Sequence, residues 1–252
     1  MENKTVRRQT KSILFAVIVI VAIVSVSIYA VVYHATAPLA QRQDKTEYTP
    51  RENVDIQAGT FNGDIIIQST TGSRIEVTYN VTAPDGYLND IKTFNNETKT
   101  DNTTTLITGA ELQLSQTQES GYKADLVINL PETSTYNLTL TTGNGNIIKP
   151  QINDSKVVAS TSNGNIDLKD GDAREIDVMA VNGNVKIGLT QGTLFQVAAS
   201  VGNGKITHQG IALDADPDTA TRLKGTTSGG AGTLNLALNT GNGNISIEYL
   251  FP

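Results

Sequence analysis

Aliphatic residues recur at fixed distances from an Asn-Gly pair that repeats along the chain. They stand seven and five positions before the glycine and two positions after it, and no charged residue occurs at these positions. In the middle of the chain, consecutive glycines of these pairs lie 19 or 21 residues apart. This pattern predicts a repeating unit of strand, tight turn and strand. The six pairs are Asn62-Gly63, Asn144-Gly145, Asn163-Gly164, Asn182-Gly183, Asn203-Gly204 and Asn242-Gly243.

Each unit has a predicted inner and outer face. Alternate residues of a strand point the same way, so positions seven, five and three before the glycine are expected to face a core. The position three after the glycine is expected to face outward, and it carries no stack of like acids. Both members of each Asn-Gly pair are predicted structural turn residues, because both tolerate positive φ at little cost. The outward residues are Ile66, Ile148, Asp167, Lys186, Thr207 and Ser246.

A unit this short cannot bury its own apolar face, so neighbouring units must stack. In a β-solenoid each unit is one coil, like positions lie about 4.8 Å apart, and the asparagine side chains form ladders. Alternatively, each Asn-Gly pair closes an antiparallel two-residue hairpin. The nearly constant spacing favours the solenoid. The predicted fold class is therefore all-β, a β-solenoid or β-helix-like stack of 19–21-residue Asn-Gly repeats, preceded by one N-terminal transmembrane α-helix.

The N-terminal region differs from the repeats in its hydrophobic pattern. Residues 12–41 carry no charge, and Ile13–Val32 is apolar apart from two serines and a tyrosine. About 20 helical residues span the hydrocarbon core of a bilayer, and the preceding basic residues place the N-terminus in the cytoplasm. A cleaved signal peptide is the alternative, since Ala35-Thr36-Ala37 has the form of a cleavage site. Either way, residues 42–252 lie outside the cytoplasm.

These features predict the organisation of a single-pass protein of the cell membrane. The predicted segments are a cytoplasmic basic tail at 1–11, a transmembrane helix at 12–34, a juxtamembrane linker at 35–53 and an extracytoplasmic β-repeat domain at 54–252. Within that domain, the asparagine- and threonine-rich stretch at about 84–121 is expected to be an exposed polar insertion.

Composition and charge narrow the chemistry. The chain has no cysteine, which excludes disulfides and thiolate metal sites, and its only histidines are His34 and His208. Histidine-based metal sites and Ser-His triads are therefore nearly excluded. Beyond residue 11 the chain has 15 basic and 24 acidic residues. Because an acidic domain repels nucleic acid, no nucleic-acid partner is expected.

The turns resemble neither a metal site nor a catalytic site. Calcium-binding β-rolls use aspartates at their turns, but in this chain Asp64 is the only acid directly after a repeat glycine, and amides are weaker calcium ligands than carboxylates. We expect no metal, no cofactor and no enzymatic activity. Two asparagines of N-x-Thr sequence in the polar stretch, Asn96 and Asn102, are candidate glycan carriers.

The chain resembles the putative-adhesin family DUF4097. The resemblance is carried by Tyr122–Ile147 (YKADLVINLPETSTYNLTLTTGNGNI) and by the later segments VVASTSNGNIDL, IDVMAVNGNVKI and LNLALNTGNGNISI. It extends over about residues 54–250. The family implies a β-solenoid-like extracytoplasmic domain that is often tethered to a membrane, and it supplies no catalytic residues.

The expected function is that of a non-catalytic, membrane-anchored cell-surface protein for adhesion or envelope structure. Its expected partners are the membrane, crossed by a single span, and a surface glycan or protein ligand. One alternative is an envelope-sensing or regulatory accessory of a partner membrane protein. Another is an enzyme acting on surface polysaccharide, with carboxylates supplied by loops.

Overall fold

Two mixed β-sheets form the domain. The computed structural model describes residues 38–113, 121–170, 172–215, 219–227 and 234–250. Strands are numbered in chain order, and the order in which they lie across each sheet differs from it. Across the nine-stranded sheet A lie β1 (Leu39–Tyr48), β4 (Ile75–Pro84), β7 (Lys123–Pro131), β3 (Ile65–Thr70), β9 (Ile147–Lys149), β11 (Ile166–Lys169), β13 (Val185–Leu189), β19 (Ile245–Tyr249) and β15 (Ile206–Gln209). Across the ten-stranded sheet B lie β16 (Leu213–Ala215), β17 (Arg222–Thr227), β14 (Phe195–Asn203), β18 (Leu234–Asn242), β12 (Glu175–Asn182), β10 (Asp154–Asn163), β8 (Thr135–Asn144), β2 (Asn53–Asn62), β6 (Thr103–Leu112) and β5 (Ile91–Lys99). A 3-10 turn at Leu88–Asp90 precedes β5.

Each Asn-Gly pair is a corner between the sheets and not a hairpin. The strand before the pair belongs to sheet B and the strand after it belongs to sheet A, as with β8 and β9. Neighbouring units pair in parallel with like positions side by side, so Asn144 lies opposite Asn163, which lies opposite Asn182. The hairpin alternative is therefore wrong, and the expected pairing of like positions is present.

The prediction of a β-solenoid is nevertheless wrong, because the units do not stack in chain order. The β18–β19 unit comes last in the chain but lies between β12–β13 and β14–β15. Antiparallel strands also complete both sheets: β1 and β4 in sheet A, and β5, β16 and β17 in sheet B. These strands pair with backbone groups that a purely parallel stack would leave open at its edges.

The predicted linker at 35–53 is also wrong in its central part, since Leu39–Tyr48 forms β1, antiparallel to β4. The strand alternates between exposed and half-buried residues, but its inner face is largely polar. Arg42 Nε pairs with Asp44 at 2.9 Å, and Arg42 Nη2 donates to the carbonyl oxygen of Ile91 at 3.2 Å. A polar inner face gives no hydrophobic alternation, so the sequence pattern does not reveal this strand.

The stretch at 84–121, predicted to be an exposed insertion, contains two strands of sheet B. Strand β6 pairs in parallel with β2, and β5 forms the outer edge against β6. Thr104, Leu106 and Thr108 of β6 are all buried. The hydroxyl group of Tyr79, from sheet A, hydrogen-bonds to Thr108 Oγ1. Threonines with satisfied hydroxyl groups thus occupy core positions that a hydrophobicity pattern assigns to solvent.

The core lies between the two sheets and is built from the predicted inner rows. Every residue seven and five before a repeat glycine is buried, and so is every residue two after it except Ile206, which is half-buried. The position three before the glycine holds buried threonines in four units. The hydroxyl groups of Thr142, Thr161 and Thr240 each donate to the carbonyl oxygen of a neighbouring unit's corner glycine, at 2.8 to 3.1 Å.

The predicted transmembrane helix at 12–34 lies outside the described residues. Among the residues described, no helix is long and apolar enough to cross a membrane.

The assignment of inner and outer rows can be tested in the middle units. Val178→Asp places a carboxylate in a fully buried aliphatic row, so we expect the free energy of unfolding in urea to fall by more than about 3 kcal/mol. Lys186→Ser removes an exposed side chain that pairs with Glu248 at 2.7 Å, and a loss of at most about 1 kcal/mol is expected. Equal losses for the two variants would mean that the rows are misassigned.

Candidate functional site

The first asparagines of the corners form a ladder of side-chain hydrogen bonds. In each bond, Nδ2 of one asparagine donates to Oδ1 of the asparagine in the adjacent unit of the stack. The bonds run from Asn163 to Asn144 at 2.7 Å, from Asn182 to Asn163 at 2.9 Å, and from Asn242 to Asn182 at 2.7 Å. Asn203 continues the ladder by donating to Asn242 at 2.7 Å. Asn62 instead donates to the carbonyl oxygen of Tyr122. The ladder expected from the repeat is therefore present, in the order in which the units stack.

A second ladder runs through the residues that follow the glycines. Backbone and side-chain N–H groups of Asn146 donate to Asp64 Oδ1 at 2.7 and 3.0 Å. Asn165, Asn184 and Asn244 repeat this pattern, each on the residue of the preceding unit. The side-chain oxygens that could face a metal accept hydrogen bonds from the neighbouring unit. Within the part of the chain that the structure describes, no group of three acidic, histidine or cysteine residues could hold a metal ion.

The corner glycines form a column in which no side chain fits. All six have positive φ, between 146° at Gly63 and 157° at Gly145. The corner asparagines do not make use of their tolerance for positive φ, because no non-glycine residue described has it. A Cβ on Gly183 would overlap the carbonyl oxygen of Gly164, and the other corner glycines approach a neighbouring backbone in the same way. Glycine is required at these corners by its backbone conformation and by the close approach of the next unit.

A groove with a volume of about 620 Å³ crosses the outer face of sheet B, over β12, β18, β14 and β17. Its floor consists of outward-facing residues of these strands, and none of the described lining residues is aromatic. The polar and charged side chains include Glu175, Asp177, Gln196, Asp214, Lys224 and Asn235. A concave surface of this volume with convergent polar groups is a candidate binding site.

The groove combines hydrogen-bond acceptors with one ammonium group. Glu175 pairs with Lys156 at the rim at 2.9 Å, and Gln196 Nε2 donates to Asn235 Oδ1. The carboxylate of Asp177 stands at an exposed position of β12, and Lys224 enters from β17. Carboxylates and amides can accept hydrogen bonds from hydroxyl or ammonium groups, so the arrangement suits a polar ligand that is neutral or cationic.

Sequence reasoning missed the groove. Its floor residues stand eight and six positions before the repeat glycines, whereas the predicted outward residues lie on the opposite sheet. Alternation along the strand would place Glu175, Asp177, Gln196 and Asn235 outward. Their proximity depends on β18 lying between β12 and β14, however, and no pattern in the sequence indicates that order.

A buried charged cluster lies where the chain returns from sheet A to sheet B. Lys149 Nζ is 2.6 Å from Asp154 Oδ2, and both side chains are fully buried. Burial raises the pKa of Asp154, although the charge of Lys149 opposes this shift. Asp170 is buried beside them, and burial raises its pKa to about 6. Asp170 is therefore an interior residue, whereas Asp167 is half-buried and Asp172 is exposed.

The two candidate glycan carriers lie at the surface of the domain. Asn96 is exposed on the edge strand β5, and Asn102 is exposed in the turn between β5 and β6. Both positions are accessible, and their glycosylation stays a prediction.

Comparison with known proteins supports the fold. No family model matches the chain, and no curated protein matches it. The fold is similar to that of a protein from Clostridium sporogenes ATCC 15579 described as a putative cell adhesion protein, with a TM-score of 0.69 and 15% identity over 84% of this chain and 100% of that one. A putative adhesin from Bacteroides fragilis NCTC 9343 has a TM-score of 0.32 and 12% identity over 83% of this chain and 97% of that one. The first likeness shows a shared fold.

The glycine column predicts a difference between two glycines that both have positive φ. Gly192 has a φ of 86° and open space around it, so Gly192→Ala should cost about 1–2 kcal/mol of stability from backbone strain alone. Gly183→Ala adds a collision with the backbone of the neighbouring unit, and we expect a loss of more than about 3 kcal/mol in urea unfolding. Similar losses would show that the close approach contributes nothing.

The raised pKa of Asp170 predicts a pH-dependent stability. The folded chain binds this proton more tightly than the unfolded chain, so the free energy of unfolding should fall as pH rises from the ordinary value of 3.8 toward about 6. Asp170→Asn keeps an acceptor for the Ala173 N–H and should reduce this fall by on the order of 1 kcal/mol. Asp101→Asn, in the exposed turn before β6, is the control and should retain the full pH dependence. Urea unfolding at several pH values measures both, and identical profiles would contradict the assignment.

Proposed function

We propose that this chain is a non-catalytic, membrane-anchored cell-surface protein whose β domain serves adhesion or envelope structure. In this proposal the N-terminus is cytoplasmic, a single helix at 12–34 spans the membrane, and the domain lies outside. The apolar run of the sequence supports the anchor. The observation that carries the adhesive role is the groove on the outer face of sheet B.

The outer face of sheet B offers regularly spaced polar groups on a rigid support. The parallel register places like positions side by side, so short hydroxyl and amide side chains form rows across the strands. Thr141 Oγ1 bonds to Ser160 Oγ at 3.1 Å, and Ser200 Oγ donates to Asn239 Oδ1 at 2.6 Å. Such rows are ordered before a ligand arrives, which reduces the entropy lost on binding. This favours an extended polar ligand, a surface glycan or a protein segment.

The shared fold lends support of a more limited kind. The similar Clostridium sporogenes structure is described as a putative cell adhesion protein, and the same two-sheet scaffold in this chain is compatible with display at a surface. Membership of the DUF4097 family belongs to this proposal as well, since it is supported by the Asn-Gly repeats of the sequence. The fold itself leaves the ligand open.

Adhesion can be tested on cells that display the full-length chain. The probes are the purified envelope polysaccharide and the envelope protein fraction of the host, each immobilised, and retained cells are counted under flow. Asp177→Lys reverses a charge in the groove and should lower retention on the recognised surface at least tenfold. Asp101→Lys makes the same charge change in the exposed turn before β6 and should leave retention unchanged.

Two outcomes would contradict the proposal. Cells with the wild-type chain could be retained no better than cells without it on both probes. Alternatively, the Asp177 and Asp101 variants could lose retention equally, which would assign the effect to overall charge and not to the groove.

A further inference from the structure

Lys149 and Asp154 form a buried pair at the return from β9 to β10. Lys149 ends β9 and Asp154 begins β10, so the pair joins sheet A to sheet B across one short return. The 2.6 Å between Nζ and Oδ2 is a contact distance, and both side chains are completely enclosed. The carboxyl group of Asp154 therefore faces the amine at hydrogen-bond distance, and both groups are shielded from water.

The amine is held in this position by the backbone. Lys149 Nζ donates to the carbonyl oxygens of Lys169 at 2.7 Å and Pro150 at 3.2 Å. These contacts hold the nitrogen beside the carboxyl group of Asp154. Reacting groups held at such distances behave as if at a concentration of about 10⁵ M or more, which removes most of the entropic barrier to their reaction.

Burial also favours the uncharged partners that the reaction needs. An ion pair taken out of water loses the solvation of both charges, and this cost is recovered only when hydrogen bonds satisfy the remaining atoms. Burial raises the pKa of Asp154, and this effect exceeds the opposing effects of the Lys149 charge and of the hydrogen bonds to the carboxyl group. Proton transfer from the ammonium to the carboxylate gives a neutral amine, which is a nucleophile, and a neutral carboxylic acid.

A third buried group can carry the proton. Asp170 follows Lys169, whose carbonyl oxygen holds the amine, and its charge interacts with both Lys149 and Asp154. Its pKa of about 6 lets it accept and return a proton near neutral pH. The exposed Asp172 is a further charged neighbour of Asp170.

We propose that Lys149 and Asp154 condense to an isopeptide bond inside the folded domain. The Nζ lone pair attacks Cγ of Asp154 and forms the C–N bond. Asp170 takes a proton from the nitrogen and delivers it to Oδ2, whose bond to Cγ then breaks. Oδ2 leaves as water, and no oxidant, reductant or further reactant takes part. The product amide carries no charge, and its N–H stays beside the carbonyl oxygen of Lys169.

The bond would tie the two sheets together covalently at the return between consecutive units. It requires only the folded chain, so it forms independently of any ligand and of the adhesive role. The exposed pair Lys156–Glu175 has a similar separation of 2.9 Å but lies in water. Water solvates both of its charges, and that pair stays ionic.

The mass of the full-length chain, purified in the folded state and then denatured, tests the proposal. We expect a mass lower by one water than the sequence requires. Fragmentation of a digest should show a branched peptide joining residues 149 and 154. Lys149→Met retains an unbranched apolar side chain but removes the amine, and should have the full mass expected for its sequence. Lys156→Met is the matched control and should still lack one water.

The role of Asp170 is tested by the rate at which the isopeptide bond forms. In Asp170→Asn chains sampled at intervals after refolding, the branched peptide should accumulate at least tenfold more slowly than in the wild type. A merely structural contribution would change the unfolding midpoint without changing this rate in the chains that have folded.

Other results would overturn the proposal. A wild-type chain of full mass means that the pair is an ion pair only. A water loss that maps to the Asp-Gly steps at Asp85 or Asp170 indicates succinimide formation and not an isopeptide bond. The wild-type mass alone decides the question if Lys149→Met does not fold.

Discussion

The close approach of backbones at the corner glycines is the constraint on which the rest of the structure depends. Where the carbonyl oxygen of one corner lies against the glycine of the next, the two units must pair in a single register. That register aligns both asparagine ladders and every inward row of the core. A change of one residue in the pairing would turn the aliphatic rows toward solvent. The glycine column therefore determines the fold more strictly than the hydrophobic core, which many aliphatic sequences could fill.

The ends of this stack are closed by segments that do not follow the repeat. At one end, the carbonyl oxygen of Ala124 in β7 accepts the hydroxyl group of Thr60. At the other end, Ile206 N–H donates to Ala220 and Val201 N–H donates to Thr221, at 2.9 Å each. Open strand edges recruit other chains, and these segments occupy the backbone groups that would do so.

The sequence reveals the unit but not its place in the stack. Inward positions such as Ile147, Ile166 and Val185 are predictable because strand alternation and a fixed turn act within each unit. The neighbours of a unit are not predictable, because its pairing rows are chemically alike and any two units could pair. Strand β1 was hidden by a polar inner face, in which Arg42 and Asp44 satisfy each other. The same reasoning predicted the turn residues and missed the groove, whose floor is assembled by the order of the units. Lys149 stands four residues after its glycine, where other units carry Leu168 or Ile187, and a lysine at this position gives no sequence signal of burial.

The hydrogen bonds of the corners also govern how the protein ages chemically. Asparagine before glycine is prone to deamidation, since the unhindered glycine nitrogen attacks the side-chain amide, and asparagine is accordingly among the thermolabile residues. In this stack, Gly145 N–H donates to the carbonyl oxygen of Asn163 at 2.8 Å, and Gly164 N–H donates to that of Asn182 at 2.9 Å. The ladders hold the amides that would be attacked. Deamidation then requires a local opening of the stack. Its rate is therefore set by how often the stack opens and not by the intrinsic reactivity of the Asn-Gly sequence. The side-chain amides that would deamidate fastest in an unfolded chain are thus protected in the folded chain. The extent of deamidation at the corners therefore reports how often the folded chain has opened there.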